Sequence, residues 1–472
     1  VALFDKGDFA AGASSRSTKM IHGGLRYLQK FQFRTVAKAG QERAVLYENA
    51  PHVMTREKLL LPIYKGGTLG KLTTAIGLKV YDYLISAKDD ERRTLLSRKE
   101  VLAKMPAIKA QGLRGGAEYT EYRTDDARLT LEVIKKAVEK GADCYNYLEA
   151  IHFNYDENGN VEAVIAQDKS SGNRYLIEGR VVLNAAGAWS YDIAPEALDL
   201  GESIHYIKGA HLVFDQSVLP LEEAVYFDTG SDQKMIFAIP HGSKTYVGVS
   251  SARYQGKREL PTISTLDTEY LLLALNEMFP AFKLTRASIE SSWAGIAPIL
   301  INSDARKGDK ALLKILGNGL VMVKNGRLTG YRELAQSVVD EIALRLQTQH
   351  NLSFKPCQTA TITLSGGDVG GSDNFARYKE EAIERGVVAN LTAIEAAELV
   401  AIYGSNVDIL FEIAAKANPD EMQGLPMNLY VKLVYGLMHE AVMTPSDFLI
   451  RRTGMLYFNI AELRQYQVSV VK

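Results

Sequence analysis

The stretch SSRSTKMIHGGLRYLQ, residues 14–29, combines hydroxyl side chains, cations, a histidine and paired glycines. A glycine inside a helix costs about 1 kcal/mol relative to alanine, so Gly23 and Gly24 argue against a simple surface helix. Hydroxyl and backbone N–H groups in a loop that enters a helix can hold a pyrophosphate, and the positive helix end favours the anion. Glycine also lets a planar ring approach the backbone closely. The stretch therefore predicts contact with a flat ligand that carries phosphate.

The run VALFD, residues 1–5, precedes this stretch and predicts a short buried parallel strand that ends at Asp5. An acid at the end of the second strand of a dinucleotide-binding unit accepts hydrogen bonds from a ribose diol. The alternative is a carboxylate that merely ends a strand in a turn. The glycine-rich G-x-G-x-x-G motif of such a unit lies about 20 residues upstream, which is before Val1. We therefore expect the chain to begin inside a cofactor-binding domain.

The remaining chain reads as alternating blocks of helix and strand. Residues 35–50 and 125–142 have helical spacing of apolar residues, and either Asp125 or Asp126 can cap the second helix. A β meander with two turn signals follows and closes on the strand RVVLNAAG. Strands dominate residues 205–300, and helical patterns dominate residues 375–472. This order suits a nucleotide-binding domain that is interrupted by a substrate domain.

Length and composition limit the number of domains and the classes of binding partner that we expect. A chain of 472 residues is long enough for two or three domains. Its net charge is −1, so no overall field recruits nucleic acid. Cys144 and Cys357 are far apart, which fits a reducing compartment and no metal motif. No apolar run reaches the ~18 residues that span a bilayer. Residues 59–85 are apolar and poor in acids, and they predict either a core helix pair or an interfacial patch.

Several segments resemble the FAD-dependent glycerol-3-phosphate dehydrogenase/oxidase family, most closely the dehydrogenases of Gram-positive bacteria. They occur in family order and include DKGDFAAGASS, SSRSTKMIHGGLRYLQ, EYRTDDARLTLEV, KGAHLVFDQSV, RLTGYRELA and TPSDFLIRRT. The resemblance implies an α/β fold with a Rossmann-like FAD-binding domain of the glutathione-reductase or D-amino-acid-oxidase type. It also implies an inserted antiparallel-sheet substrate domain and a helical C-terminal domain. The boundaries we predict are FAD-binding 1–50, 121–200 and 311–350, substrate domain 51–120 and 201–310, and C-terminal domain 351–472.

The resemblance also implies a reaction. It is oxidation of sn-glycerol 3-phosphate to dihydroxyacetone phosphate, with hydride transfer from C2 to flavin N5 and electrons passed to quinone. An oxidase that reduces O2 to H2O2 is the alternative within the enzyme class. A quinone acceptor implies a cytoplasmic protein with peripheral contact at the inner face of the cell membrane. A homodimer is left open.

Site residues follow from the resemblance at matching positions. Those expected to contact FAD are Asp5, Ser14, Ser15, Arg16, Ser17, His22, Gly23, Gly24, Ala185, Ala186, Gly187, Trp189, Arg327, Leu328, Thr329 and Tyr331. Arg26 and Tyr27 are expected to bind substrate by the same resemblance, and Lys208, His211 and Arg327 are further substrate candidates by their residue type and place in the sequence. His22 and His211 compete for the role of base, since an imidazole takes a proton near neutral pH, and Arg26 is the third catalytic candidate.

The sequence departs from the family pattern at positions expected to touch the substrate. Ala297 stands where an arginine that binds the substrate phosphate is usual, and His241 replaces another arginine. The family's TTDT becomes residues 249–252, VSSA, and its GGK becomes residues 325–327, NGR. Loss of one arginine partner for a dianion weakens binding by about 1.5–3 kcal/mol. A third hypothesis is therefore a flavin-binding homologue with weak or lost turnover.

Overall fold

The computed structural model describes residues 1–22, 32–67, 80, 91–199, 202–229, 232, 234–302, 313–324 and 326–472. Its strands, in chain order, are β1 (Ala2–Phe4), β2 (Met20–Ile21), β3 (Met54–Tyr64), β4 (Thr94–Ser97), β5 (Leu113–Thr124), β6 (Asp143–Tyr145), β7 (Leu148–Tyr155), β8 (Val161–Asp168), β9 (Arg174–Glu178), β10 (Leu183–Asn184), β11 (Glu202–Asp215), β12 (Ala224–Asp228), β13 (Met235–His241), β14 (Lys244–Tyr254), β15 (Ile289–Asn302), β16 (Leu313–Ile315) and β17 (Val321–Val323).

The helices in the same described ranges form a second set. They are α1 (Phe33–Asn49), α2 (Arg98–Lys104), α3 (Asp126–Glu139), α4 (Ser190–Ile193), α5 (Thr265–Met278), α6 (Tyr331–His350), α7 (Phe375–Val388), α8 (Ala393–Tyr403), α9 (Val407–Lys416), α10 (Met427–His439), α11 (Met455–Phe458) and α12 (Ile460–Val471). A π-helical segment, Asp447–Arg452, lies between α10 and α11. Within these ranges, no helix combines the length and apolarity needed to cross a membrane.

A mixed sheet of nine strands positions the site. Its order is β15-β11-β14-β13-β12-β3-β5-β2, and β4 also pairs with β5. The β12–β3 pair is parallel, with Ala224 opposite Leu59, whereas the other pairs are antiparallel. β3, β4 and β5 therefore build one sheet with β11 to β15, although the strands β6 to β10 lie between them in sequence.

The two faces of this sheet have different neighbours because side chains alternate along each strand. On one face, Leu212 and Phe214 belong to a buried apolar cluster that includes residues of α2 and α5. On the other face, Val213 and Trp293 belong to a cluster with Met20 and Tyr457. This second face, called the loop face below, meets the segment that leads into β2.

Smaller sheets lie in the segments predicted to bind FAD, which are called the cofactor side below. β1 pairs in parallel with β6, and β10 pairs in parallel with β17, which continues to β16. The predicted meander is confirmed as antiparallel β7-β8-β9. The predicted helix at 125–142 is confirmed as α3, whose start is capped by Asp125 through the Arg128 N–H at 3.0 Å.

The C-terminal helices form their own buried cluster, and buried charges tie them to the cofactor side. Arg452 donates to both oxygens of Asp8, with its Nη1 at 2.7 Å and its Nη2 at 2.9 Å. Arg128 of α3 forms an ion pair with Glu440. All four side chains are buried, so the loop after β1 and the start of α3 are fixed against the C-terminal helices.

One expectation about secondary structure is wrong. Residues 59–64 belong to β3, not to a helix pair, and Leu59, Leu60 and Leu61 are buried in the sheet. An apolar run of this length does not distinguish a buried strand from a helix. Residues 68–79 and 81–90 lie outside the described residues, so the rest of the 59–85 prediction is untested.

Candidate active site

Residues 12–19, called the serine loop below, connect the end of β1 to β2. A short 3-10 turn covers Ala13–Ser15. Ser14 is exposed, whereas Ser15 is only 3% exposed and its carbonyl accepts a hydrogen bond from the Lys19 Nζ at 3.2 Å. Of these two predicted FAD contacts, Ser14 has an exposed side chain and Ser15 a buried one. Both contacts stay predictions.

Asp126 holds the other half of the serine loop. Its carboxylate accepts hydrogen bonds from the Ser17 backbone N–H at 3.0 Å and from the Ser17 hydroxyl at 2.7 Å. It also forms an ion pair with Lys19. Burial alone would lower the pKa of the Lys19 ammonium, but the Asp126 carboxylate outweighs burial and raises that pKa above its usual value. The Ser17 hydroxyl donates to Asp126 in this structure, and the predicted contact of Ser17 with the pyrophosphate stays a prediction.

The loop face of the large sheet contacts the serine loop from the opposite side. Trp293 donates from its indole N–H to the Ser17 carbonyl at 3.1 Å. Tyr246 donates from its hydroxyl to the Thr18 carbonyl at 3.2 Å. A Cβ added to Gly295 would lie 2.3 Å from the Arg16 carbonyl oxygen, so only glycine allows this approach. The loop is thus held between α3 and the sheet.

His211 lies beneath the serine loop rather than in an open site. The residue is 2% exposed, and its ring stacks on Trp293 with centroids 4.6 Å apart and an interplanar angle of 6°. Its Nε2 lies 3.2 Å from the Thr18 hydroxyl, and its buried Nδ1 has no hydrogen-bond partner among the described residues. Burial, and then the Lys19 charge, lower the pKa of His211 to about 3. The predicted role of His211 as base or substrate contact is therefore wrong, since neither ring nitrogen is open to a ligand.

Lys208 faces the opposite side of the sheet from His211. It forms an ion pair with Asp267, and its Nζ donates to the Thr262 carbonyl at 3.3 Å. Residues 208 and 211 are three apart in a strand, so their side chains point to opposite faces. The prediction that Lys208 binds substrate is wrong because this ammonium is buried against α5 and its capping residues.

The segment 185–187 forms an open shelf beside the serine loop. Ala185, Ala186 and Gly187 are exposed, and Gly187 has a φ of +57° with open space where a Cβ would project. Trp189 follows the shelf, and a Cβ on Gly12 would lie 3.5 Å from its ring. The shelf thus adjoins the serine loop and offers no side chain larger than a methyl group.

Glu259 ties the neighbouring parts of this region together. Its carboxylate accepts from the Trp189 indole N–H at 2.8 Å and from the Lys6 ammonium at 3.2 Å, and its carbonyl accepts from Arg16 at 3.3 Å. Lys6 follows Asp5, which ends β1 as predicted and remains exposed. The predicted contacts Asp5, Arg16 and Trp189 are therefore brought into one neighbourhood.

His22 follows β2 directly and lies beside the returning segment 327–331. The Thr329 hydroxyl donates to the His22 carbonyl at 3.5 Å, and the His22 ring is 6.4 Å from that of Phe237. Leu328 and Tyr331 are half-buried against a cluster near α1 and α3, while Arg327 is exposed. His22 and Thr329 thus meet at the end of the serine loop, and their predicted contacts with FAD stay predictions.

Four predicted site residues, Gly23, Gly24, Arg26 and Tyr27, lie outside the described residues.

Two positions that depart from the family pattern, Ala297 and His241, lie within the described residues. Ala297 is exposed on β15, on the loop face and two residues beyond Gly295. His241 lies against Phe458 of α11 with ring centroids 4.4 Å apart, and burial lowers its pKa to about 3. His241 is therefore neutral and offers no replacement for a cation.

A cavity of about 320 Å3 opens where β11 begins and β14 ends. Arg258, in its lining, donates to the Ala188 carbonyl at 2.7 Å and pairs with Asp192. The cavity therefore borders the shelf, but none of the predicted site residues lines it. The candidate site is the serine loop and shelf rather than this cavity.

Sequence reasoning missed the residues that hold the serine loop. The sequence patterns indicate Asp126 only as an alternative cap of α3, and they indicate no role for Thr18, Tyr246 or Trp293. The adjacent acids at 125–126 were the available signal, because a helix start needs one cap and leaves the second carboxylate for another partner.

These residues fit the flavin dinucleotide that the resemblance implies. The shelf is open and bordered by small side chains, a cradle that a larger Cβ substituent would fill. The exposed carboxylate at the end of β1 suits a ribose diol, and the exposed Ser14 suits a phosphate. Asp5, Ser14, the shelf and residues 328–331 are therefore the groups that would hold FAD.

Comparison with known proteins agrees with this fit. The family described as FAD dependent oxidoreductase matches residues 1–329, and the C-terminal domain of alpha-glycerophosphate oxidase matches residues 357–472. An aerobic glycerol-3-phosphate dehydrogenase of Staphylococcus aureus is 46% identical over 475 residues, covering 100% of this chain and 85% of that protein.

Solved structures give the same result. The glycerol-3-phosphate dehydrogenase from Bacillus halodurans, complexed with FAD, has a TM-score of 0.84 and 39% identity, covering 100% of this chain and 84% of that chain. The L-alpha-glycerophosphate oxidase from Mycoplasma pneumoniae has a TM-score of 0.55 and 17% identity, covering 76% and 91%, and shows a shared fold. The predicted fold class, with mixed sheets and a helical C-terminal domain, is confirmed. The chain is an FAD-dependent oxidoreductase, and it belongs to the family that includes the aerobic glycerol-3-phosphate dehydrogenases.

Proposed function

We propose that this protein oxidises sn-glycerol 3-phosphate to dihydroxyacetone phosphate. The support is its 46% identity, over its whole length, to a protein named aerobic glycerol-3-phosphate dehydrogenase. The structural observation that carries the proposal is the serine loop, fixed between α3 and the sheet beside an open shelf. FAD, when bound, supplies a hydride acceptor at its N5 for the hydrogen on C2 of the alcohol.

His22 is the base in this proposal. It follows β2 at the end of the serine loop, whereas His211 has no open ring nitrogen. An imidazole nitrogen of His22 takes the proton from the C2 hydroxyl as C2 loses its hydride, which leaves the ketone. The step balances, since the alcohol loses one hydride and one proton.

Arg327 is the described cation that we assign to the substrate phosphate. It is exposed at the start of the segment that contacts His22. A guanidinium can donate two parallel hydrogen bonds to a phosphate. Arg26 and Tyr27 complete this proposal from the sequence alone, because they lie outside the described residues.

Quinone is the acceptor that we propose for the electrons, with the protein in the cytoplasm and in peripheral contact with the inner face of the cell membrane. Quinones reside in the bilayer, so their reduction requires access to its surface. A homodimer is part of the same proposal. Measuring quinone reduction against H2O2 release per substrate consumed separates this acceptor from O2, and stoichiometric peroxide would favour an oxidase.

Anaerobic mixing of the purified yellow protein with glycerol 3-phosphate tests the reaction itself. We expect the flavin absorbance near 450 nm to bleach as substrate is consumed. The His22→Asn variant, which leaves the serine loop contacts intact, should bind FAD but bleach at least 100-fold more slowly. Unchanged absorbance in the unmodified protein at saturating substrate would contradict the proposed function.

A flavin-binding protein with weak or lost turnover is the second candidate. It is favoured by Ala297, which leaves a methyl group on the exposed loop face, and by the commitment of Lys208 to Asp267. Installing an arginine, Ala297→Arg, should tighten substrate binding about tenfold or more if this position meets the phosphate. Unchanged affinity would exclude this explanation of weak turnover.

A further inference from the structure

Asp126 is the first residue of α3, where its carboxylate accepts from the Ala127 backbone N–H at 3.0 Å, but it is not the N-cap. Asp125 accepts from the Arg128 N–H and fulfils that role. The Asp126 residue is 0% exposed, and its carboxylate points to the serine loop, where it meets Ser17 and Lys19. A buried carboxylate is costly unless it is paired and hydrogen-bonded, so its partners determine what it does.

The partners of Asp126 fix the backbone of the serine loop as well as its side chains. The Ser17 N–H is a main-chain donor, and the Lys19 ammonium also donates to the Ser15 carbonyl. Lys19 has a φ of +56°, a backbone conformation that costs energy for a residue with a side chain. The ion pair therefore holds a turn that the chain does not prefer.

The opposite side of the loop has little freedom to compensate. Trp293 and Tyr246 bind the carbonyls of Ser17 and Thr18, and Gly295 leaves no space beneath Arg16. Loss of the Asp126 contacts would leave a strained loop that is held by its carbonyls, by the Thr18 hydroxyl on His211 and by the Arg16 side chain on Glu259, with no partner for the Ser17 N–H. The exposed Ser14, three residues from Ser17, would then lose its fixed orientation.

A purely structural role explains this arrangement less well. Replacing a buried ion pair by apolar residues is often neutral or stabilising, so such a pair is weak evidence for stability. A ligand site, in contrast, gains when supporting residues lock its geometry in advance. We propose that Asp126 is a positioning residue that sets FAD affinity by fixing the serine loop. This proposal rests on the FAD dependence of the family and not on the identity of the substrate.

The chain contains a matched control in α5. Asp267 accepts from the Ser264 N–H at 2.7 Å and from the Ser264 hydroxyl at 2.6 Å, and it pairs with Lys208. Asp126 likewise meets a serine N–H, a serine hydroxyl and a lysine, whereas Asp267 lies on the face of the sheet away from the serine loop and belongs to the capping box of α5. Asp126→Asn and Asp267→Asn therefore make the same chemical change at two places.

The test measures the FAD dissociation constant of both variants by quenching of flavin fluorescence, with circular dichroism as a check on folding. We expect Asp126→Asn to weaken FAD binding at least tenfold and Asp267→Asn to change it less than twofold. Ser17→Thr, which keeps the hydroxyl, should retain affinity better than Ser17→Ala. Because these readouts need no substrate, they stand even if the proposed oxidation fails.

Three outcomes would overturn the proposal. The first is FAD affinity within twofold of the unmodified protein in Asp126→Asn, and the second is an equal loss in Asp267→Asn. If Asp126→Asn does not fold, the FAD affinity of Ser17→Ala is the test, since this variant removes one contact at a half-buried residue. Equal FAD affinity in Ser17→Ala and Ser17→Thr is the third contradicting outcome.

Discussion

The variant His211→Asn tests whether His211 is a catalytic base or a buried residue that supports the serine loop. The structure gives His211 one hydrogen bond, to Thr18, and one ring stack, on Trp293. Losing them costs about 0.5–1.5 kcal/mol for the hydrogen bond and about 0.5–1.5 kcal/mol for the stack. We therefore expect His211→Asn to lower the free energy of unfolding by about 1–3 kcal/mol at pH 7.5, with kcat reduced less than about tenfold.

The pH dependence of stability gives a second readout of the same change. Folded His211 stays neutral because its pKa is lowered to about 3 from 6.5, whereas the unfolded chain takes up a proton below pH 6.5. Stability is therefore lost as the pH falls from 6.5 toward 3. Between pH 7.5 and 5.5 the loss from one such histidine is about 1 kcal/mol. His211→Asn should lose that much less stability over this interval.

Urea unfolding followed by circular dichroism at the two pH values measures this difference, and steady-state kinetics measures kcat. His52→Asn is the matched control. His52 is buried with neither ring nitrogen hydrogen-bonded in the described structure, and burial, with Arg128 and Lys135 nearby, lowers its pKa to about 3. This control should flatten the pH profile equally and leave kcat unchanged.

Two results would refute the reasoning about His211. A fall in kcat of more than 100-fold, with FAD still bound, would restore His211 as the base. A pH profile of stability that matches the unmodified protein would mean that the folded ring titrates normally. Either result would contradict the buried, neutral histidine beneath the serine loop.

Three further predictions follow from other contacts. Gly248→Ala should destabilise the protein by about 1–3 kcal/mol, because a Cβ there would lie 2.0 Å from the His211 Cδ2. In a double-mutant cycle, His211→Ala should recover most of this cost. An unchanged cost would contradict the contact. Arg452→Met should remove about 1.5–3 kcal/mol from the free energy of urea unfolding, because Asp8 loses its bidentate partner but keeps its ion pair with Arg451, and a loss under about 0.5 kcal/mol would contradict that pairing. Lys208→Met should leave the KM for glycerol 3-phosphate within twofold, whereas a tenfold rise would return Lys208 to the substrate site.

Local patterns in the sequence were sufficient for several elements. The apolar stripe and acidic start of α3 are both local, and so are the turns of the meander. These predictions held because hydrophobic period and turn chemistry act over a few residues.

The errors concern contacts that depend on distant segments. Burial of His211 is set by Trp293, its cross-strand neighbour on β15, and no local pattern reveals that pairing. The Lys208 error was avoidable, since alternation along a strand places residues 208 and 211 on opposite faces. Which of Asp125 and Asp126 caps α3 depends on Ser17 and Lys19, more than a hundred residues earlier.

Among the described residues, one pairing of the large sheet is parallel, and this pairing has a consequence for how the chain is made. β3 joins β12 only after the ribosome has delivered the whole meander and β11, because Ala224 pairs with Leu59. Pairings between such distant segments form slowly. Until then, one edge of β3 is unpaired and carries Leu59, Leu60 and Leu61, residues that end fully buried. An open apolar edge invites association with other nascent chains, so we expect β3 to be the segment that needs shielding during synthesis.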